Sequence, residues 1–387
     1  MSRPELDASS VGPCWGGTLL ARSRILGRPI AAWLCPGGPG QEWDDFLRGC
    51  ALGQFQQSSL WAQTKEIDGW NSIRVAIEQE GHIVGGFQLL WKTTRLGRIG
   101  YVSKGPVLMS EDSAGVAFAL DQLLGLVHSY RLRAMIVQPP DQARLIPQAL
   151  ASRGFLPNRL ISVISATCMI DVAGPTGEWE KDIGRSRRHE IQQALRSPLQ
   201  IREGGDSEIP KFFELMASTC ARQRTRPNPG SVEALGQLVR AFQASGSVRL
   251  SFADYQGEAI ACAMALKFGE RVTLWKKGWN GTQRNLHPNS LLYYDAVRWA
   301  QQVGFKCFDF GGMDRSLAED LLARHTLTAE QKRSRDVFNL TFGARPKLLS
   351  EVLIYWNNAA LRSLYSAALH WPWLLDKFGR AAGQAGS

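Results

Sequence analysis

Arg98-Ile99-Gly100-Tyr101-Val102-Ser103-Lys104-Gly105 and, 173 positions further on, Arg271-Val272-Thr273-Leu274-Trp275-Lys276-Lys277-Gly278 read as two copies of one strand, each closing on a lysine followed by glycine. Each copy has the same surroundings. A strand-like run at 73–80, a turn at Gly81 and an apolar run at 83–91 predict a β-hairpin; residues 248–255, Gln256-Gly257 and 259–268 predict another about 175 positions on. After each strand, apolar residues at three- and four-residue spacing predict helices at 113–130 and 289–303, followed by short strands at 134–137 and 307–310. Hairpin, strand, helix and strand thus recur in one order at nearly constant spacing, which points to a duplicated structural unit. The fold class that follows is α/β of the α+β kind, with two tandem domains.

Between the copies lie a helical segment at 144–152, a strand at 161–170 and a basic helix at 179–196, and the second copy is led by helices at 210–223 and 231–245. Residues 1–40 mix Gly, Pro and Ser with short apolar pieces, and Pro36-Gly37-Gly38-Pro39-Gly40 reads as a turn cluster, so ordered structure is expected to start near Glu42. The expected plan is a partly irregular N-terminal extension at 1–44, a first domain at 45–177, a second at 178–349 and a helical tail at 350–387.

The 387 residues are 44% hydrophobic and 21% charged, ordinary globular composition and enough for two domains of roughly 100 to 200 residues. A net charge of +10 favours polyanionic partners: nucleic acid, anionic lipid headgroups or phosphate-bearing substrates. Seven scattered cysteines without a Cys-x-x-Cys pair, and six dispersed histidines, predict neither a disulfide framework nor a metal site, and suit a reducing cytoplasm. No run of about 18 apolar residues occurs, and residues 1–10 lack a basic cluster leading into an apolar stretch; neither a membrane span nor a secretion signal is expected. No Gly-x-Ser-x-Gly elbow or comparable triad is present.

The order of helices, hairpin, strand, helix and strand resembles the acetyltransferase (GNAT) fold, in which two central strands splay apart to admit an acyl donor. Four segments then resemble the Fem-type (FemX/FemAB-like) family of peptidoglycan-bridge aminoacyltransferases: 55–65, beginning Phe55-Gln56-Gln57-Ser58-Ser59-Leu60-Trp61; Tyr101-Val102-Ser103-Lys104-Gly105-Pro106-Val107; 288–296, beginning Pro288-Asn289-Ser290-Leu291-Leu292-Tyr293-Tyr294; and 304–312, ending Asp309-Phe310-Gly311-Gly312. Together they span about residues 45–345. The resemblance implies two tandem GNAT-like domains, each with a mixed, mostly antiparallel sheet flanked by helices. It also implies transfer of an aminoacyl or acyl group to an amine of a peptidoglycan or cell-surface glycan precursor. The donor would be aminoacyl-tRNA or acyl-CoA, with no tightly bound cofactor. The acceptor would be nucleotide- or lipid-linked, and the protein a cytoplasmic monomer at the inner face of the membrane.

Such chemistry needs an aligned amine and ester, a proton acceptor and a stabilised oxyanion, and no protein nucleophile. The resemblance carries a phosphate-binding role to Lys65 and Arg188; alternatively Arg188 lies on a solvated basic helix. Arg185, Arg188 and Gln192 share one helical face. Tyr101 and Lys104 are placed at the end of a splayed strand, where the family has arginine in place of Lys104, or are a surface pair. Trp275, Lys277 and Trp279 flank the equivalent strand end, where an aromatic either stacks on substrate or fills the core. Asn289 or Ser290 is expected to cap the following helix. Asp309 or Asp314 is a proton acceptor or a turn cap. Downstream, Phe338-Asn339 stands where the family has Phe-Lys, a lysine that supports the transition state; asparagine donates a hydrogen bond but carries no charge.

Three other readings stay open: an acyl-CoA-dependent N-acyltransferase of exopolysaccharide or small-molecule synthesis, a noncatalytic nucleotide-sugar binder, and a general nucleic-acid binder. The Gln/Arg-x-x-Gly-x-Gly/Ala loop of coenzyme A users is absent at 280–285. The tail at 352–378, with Trp356, Trp371, Trp373, Lys377 and Arg380, is expected to rest on an anionic membrane or to pack on the second domain.

Overall fold

A computed structural model of the chain describes residues 16–38, 40–94, 97–371, 373 and 375. The expected α+β pattern is present as two separate sheets, each in its own compact unit: the described residues up to 161 with those from 351 on, and residues 162–350.

In chain order the strands that build the first unit's sheet are β1 (Thr18–Ile25), β2 (Arg28–Pro36), β3 (Asn71–Gln79), β4 (His82–Thr94), β5 (Gly97–Ser103), β6 (Val107–Leu108), β7 (Leu132–Gln138) and β8 (Leu156–Pro157). The second unit's sheet uses β9 (Ala166–Asp171), β10 (Gln200–Gly204), β11 (Val248–Tyr255), β12 (Glu258–Phe268), β13 (Arg271–Trp279), β14 (Cys307–Gly312) and β15 (Arg345–Leu348). A last strand, β16 (Leu353–Trp356), returns to the first sheet.

The sheet orders are β1-β2-β3-β4-β5-β7-β16-β8, with β6 on β4, and β10-β11-β12-β13-β14-β9-β15. Predicted hairpins β3–β4 and β11–β12 form, and β5 and β13 each run parallel to the strand that follows the next helix. That helix is Ser113–Ser129 in one unit and Pro288–Gln302 in the other. Crossover helices are what a parallel connection requires.

Three boundaries differ from the expectation. The segment assigned to an irregular extension contains the β1–β2 hairpin, turned at Leu26-Gly27 with φ of 51° and 80°. β2 buries Ile30, Ala31, Ala32 and Trp33 against the sheet, and each large apolar group removed from water there stabilises by about 1.5–3 kcal/mol. The strand expected at 161–170 begins at Ala166, and β9 pairs with β14 and β15 rather than with the domain that precedes it. The tail is not one helix: β16 inserts between β7 and β8 before the helix Ala359–Ala368. Each sheet thus takes the strand that follows the other unit in sequence. β9 and β16 are buried on both faces over most of their length, as strands inside a covered sheet are. Tail residues 372, 374 and 376–387, with Lys377 and Arg380, lie outside the described residues, as do 1–15.

Candidate active site

The two units treat their parallel strands differently. In the first, β5 and β7 stay paired from Arg98–Leu132 to Ser103–Gln138, so the pair is closed along its length. In the second, β13 and β14 pair only at Arg271–Cys307, Val272–Phe308 and Thr273–Asp309, after which β13 continues to Trp279 and β14 to Gly312 without pairing. Two irregularities accompany the parting. Trp275 is an extra residue in β13, since Leu274 faces Ala265 and Lys276 faces Met264. β14 carries one extra residue between Asp309 and Gly312, with Gly311 at φ 82°. A bulge bends its strand and re-aims the side chains beyond it.

Beyond the bulge stands Lys277. It is half-buried, and its Nζ donates to the Phe310 carbonyl at 3.4 Å and lies 5.2 Å from the centre of the Tyr293 ring. Among the described residues it forms no ion pair. Desolvation, and then the nearby Arg335, push its pKa down to about 8 against the pull of Cys168, Asp336 and Asp309. Desolvation, and then Asp309, push the buried Cys168 up to about 12, so this thiol stays protonated.

An aromatic cluster walls this end of the sheet. Tyr293 packs on Phe310, Phe338 and Phe342 with ring centroids 6.3, 5.7 and 6.0 Å away. Burial raises the Tyr293 pKa, so its hydroxyl remains a neutral donor. Behind the cluster the Arg187 guanidinium stacks on Phe338 at 3.8 Å and on Phe342 at 5.1 Å. It also pairs with Glu190, donates to Ser290 Oγ at 2.6 Å and donates to Thr341 Oγ1 at 3.0 Å.

Such an arrangement suits group transfer that proceeds through electrostatics alone. It has a gap between strands, main-chain groups released from pairing, a cation without a counter-charge among the described residues and an apolar wall that excludes water. No group of three or more His, Cys, Asp or Glu is placed to hold a metal among the described residues. An open groove lined by His128, Arg131, Arg133 and Asn357 lies in the first unit at the start of β7, away from the strands' C-terminal ends.

Comparison with known proteins fits this division. Residues 39–150 match the FemAB family, and residues 182–342 match the acetyltransferase (GNAT) domain. The likeness to the FemAB family spans residues 39–150. The chain is 21% identical over 300 residues to the UDP-N-acetylmuramoylpentapeptide-lysine N(6)-alanyltransferase of Weissella viridescens, covering 73% of this chain and 86% of that protein. It is 25% identical over 196 residues to the lipid II:glycine glycyltransferase of Staphylococcus haemolyticus, covering 47% of this chain and only 46% of that protein. The crystal structure of FemX superposes with a TM-score of 0.71 at 17% identity, covering 84% of this chain and 97% of FemX.

Several residues singled out in the sequence make specific contacts within the chain. Lys104, at φ 57°, is buried against Asp141 at 2.5 Å. Tyr101 lies within the paired part of β5, opposite Leu90 and Ile136, because the first unit's strands do not splay. Arg188 is exposed and donates to the carbonyls of Glu180, Lys181 and Ile183 at 3.1–3.4 Å, stitching the short helix Glu178–Asp182 to the helix Arg185–Leu195. The face carrying Arg185, Arg188 and Gln192 is the solvent face; the buried arginine is Arg187, which the sequence reading passed over. Ile191 and Ala194, also buried, stand four and seven residues after Arg187, and that spacing was the available signal.

Asp309 is buried and accepts from the Thr167 hydroxyl and, at 2.8 Å, from the Gly311 amide, with Arg271 at 3.5 Å. These contacts hold the bulge in place. Asp314 caps the helix Arg315–Leu322 through the Leu317 amide at 2.8 Å. Neither Asn289 nor Ser290 caps its helix; His287, at φ 54°, is the N-cap, and Ser290 faces Arg187 and Glu190 instead.

Asn289 is half-buried in the first turn. Trp275 is the half-buried bulge residue, with the Lys276 ammonium over its ring at 5.2 Å. Phe338 belongs to the aromatic wall, and Asn339, beside it on the helix Arg335–Leu340, is 3% exposed. Lys65 pairs with Asp68 at 2.8 Å and lies over the Trp61 ring at 4.9 Å. No helix among the described residues is long and apolar enough to cross a membrane.

Proposed function

We propose that the chain is a Fem-like transferase that moves an aminoacyl group from aminoacyl-tRNA to an amine of a peptidoglycan precursor, at the parted strands of the second unit. The observation that carries this reading is the early end of β13–β14 pairing beside Lys277 and the Tyr293 cluster, in the region that matches the acetyltransferase domain. An acyl ester entering the gap meets main-chain donors and a cation, while the incoming amine needs only orientation and a route for its proton. The alanyltransferase match, which spans most of both chains, supports a nucleotide-linked muropeptide as acceptor, and the glycyltransferase matches support a lipid-linked one.

One feature favours tRNA over coenzyme A as donor. The loop that leads from β13 into the helix Pro288–Gln302, together with that helix's first turn, engages four of its amides internally. Thr282 N donates to Asn280 Oδ1, Leu286 N to the Gln283 carbonyl, His287 N to the Arg284 carbonyl and Ser290 N to the His287 carbonyl. A diphosphate would have to displace these bonds. Leu364, Trp371 and Trp373 are exposed on the C-terminal segment and support peripheral contact with a membrane that holds a lipid-linked acceptor. At Lys65, a precursor phosphate would compete with Asp68.

The test is transfer to UDP-N-acetylmuramoyl pentapeptide, followed by mass spectrometry, with alanyl-tRNA, glycyl-tRNA and acetyl-CoA as alternative donors. An aminoacyl increment is expected from a tRNA. An acetyl increment alone would establish the acyl-CoA reading, and binding of the precursor without any increment would establish a noncatalytic binder.

A further inference from the structure

We infer that Lys277 is the catalytic cation of the second unit: its ammonium donates to the acyl carbonyl oxygen and stabilises the oxyanion that forms there. The inference rests on the transferase reading above and names the group that acts in it.

The internal duplication supplies the argument. Lys104 and Lys277 stand 173 positions apart at matching points of the repeated sequence, each before a glycine: Lys104 just past the end of β5, and Lys277 near the end of β13. In the first unit that lysine is neutralised by Asp141, both side chains are buried, and the strands stay zipped to their ends. The residue 173 positions after Asp141 is Asp314, which turns away to cap a helix through the Leu317 amide and the Ser316 hydroxyl. Lys277 therefore keeps its charge without a counter-ion. Its one hydrogen bond among the described residues, to the Phe310 carbonyl, is long at 3.4 Å, and an ammonium has three protons to give.

An enclosed cation left without a carboxylate is a liability to folding. The two nearest acids are already engaged. Asp309 is held by Thr167, Gly311 and Arg271, while Asp336 accepts from the Asp314 amide at 2.8 Å and faces Arg335 at 3.4 Å. Those contacts keep the acids from closing on the lysine. The Tyr293 ring supports the ammonium from one side, and Phe338 packs edge-on against the same ring. Asn339, next along the helix, is neutral, so the charge at this end of the sheet comes from the strand.

The chemical step balances without any proton leaving Lys277. The acceptor nitrogen forms a bond to the acyl carbon, and the carbonyl π pair moves onto oxygen, where Lys277 donates to it. The pair then returns as the bond from carbon to the ribose oxygen breaks, and the proton shed by the amine passes to that leaving oxygen through solvent.

The experiment compares Lys277→Met and Lys277→Arg with the wild-type chain in transfer from alanyl-tRNA or glycyl-tRNA to UDP-N-acetylmuramoyl pentapeptide. Lys277→Met should lower kcat by about 100-fold or more with KM for the precursor changed less than threefold, because the interaction exists only in the transition state. Lys277→Arg should restore at least tenfold of that loss. A Lys277→Met protein that keeps kcat within threefold of an active wild type overturns this inference and leaves the transferase reading standing. A folded wild-type chain that transfers nothing from either donor overturns both.

Discussion

The ammonium of Lys104 lies 2.5 Å from Asp141 Oδ1 with both side chains almost wholly out of solvent, so the lysine that repeats in the second unit as Lys277 serves in the first as half of a buried ion pair. Removing one partner leaves a charge in the core. Lys104→Met or Asp141→Asn alone should therefore lower the unfolding free energy by about 3–5 kcal/mol, read by urea denaturation. The combined Lys104→Met and Asp141→Leu chain should recover most of that loss. A double variant whose loss equals the sum of the two single losses would show that the pair is not coupled.

Asp309 gives a different contrast. If it holds the bulge in β14, Asp309→Asn weakens its contacts with the Thr167 hydroxyl and the Arg271 guanidinium, and stability should fall by about 1–3 kcal/mol. Thr167→Val should cost a similar amount. Transfer by Asp309→Asn should stay within about tenfold of wild type, whereas a general base would be worth about 100-fold or more. Steady-state kinetics beside thermal melting separates the two.

The adjacent arginines should behave in opposite ways. Arg187→Ala takes the arginine from Glu190, which keeps Ser290 and His287, and uncovers Phe338 and Phe342, a loss of about 2–4 kcal/mol. Exposed Arg188→Ala should change stability by less than about 1 kcal/mol. Chemical denaturation of both variants checks the order, and a larger loss at Arg188 would reverse the assignment of the buried face.

Lys277 makes the pH dependence of stability specific. Its folded pKa, about 8, lies below the ordinary lysine value of 10.5, so between those values the unfolded chain binds the extra proton and stability contributed by this group rises with pH. The groups that face it are Arg335, Asp336, Cys168, Asp309 and Tyr293. Below pH 8 the charged lysine opposes folding in full. Lys277→Met should therefore be more stable than wild type at pH 7, with the advantage shrinking from pH 8 toward 10.5. Urea midpoints taken across that range check this, and an advantage that grows with pH would contradict it.

Strand β16 lies between β7 and β8, so a chain ending at Ser350 loses an internal strand of the first sheet. It should leave the edges of β7 and β8 unpaired and fail to give a soluble, cooperatively melting first unit. A truncation after His370 keeps β16 and the helix Ala359–Ala368 and should retain cooperative melting.

Much of this was written in the chain. Periods of two and 3.6 gave the hairpins, the parallel strands and their crossover helices, because those signals depend on neighbours a few residues apart. Offsets of 173 and about 175 tied the copies together and put Lys104 and Lys277 in register. The β1–β2 hairpin was hidden among glycines and prolines, and the exchange of β9 and β16 was hidden because a strand's sequence does not name its partner. Arg187 was missed for a related reason: three arginines in four positions look alike until the helix rotates one of them inward.

By itself the sequence determined that one α+β pattern is repeated along the chain and that each copy carries a lysine before a glycine at matching positions. Only the tertiary structure decided what each lysine does. In one unit Asp141 comes back to the strand end and closes it; in the other Asp314 binds helix amides, Asp309 binds the bulge, and Lys277 stays unpaired where β13 and β14 part. The deciding quantity is the environment of a charge. That environment is set by groups distant in sequence, whose carboxylates can point toward an ammonium or toward backbone amides, and no local pattern records which.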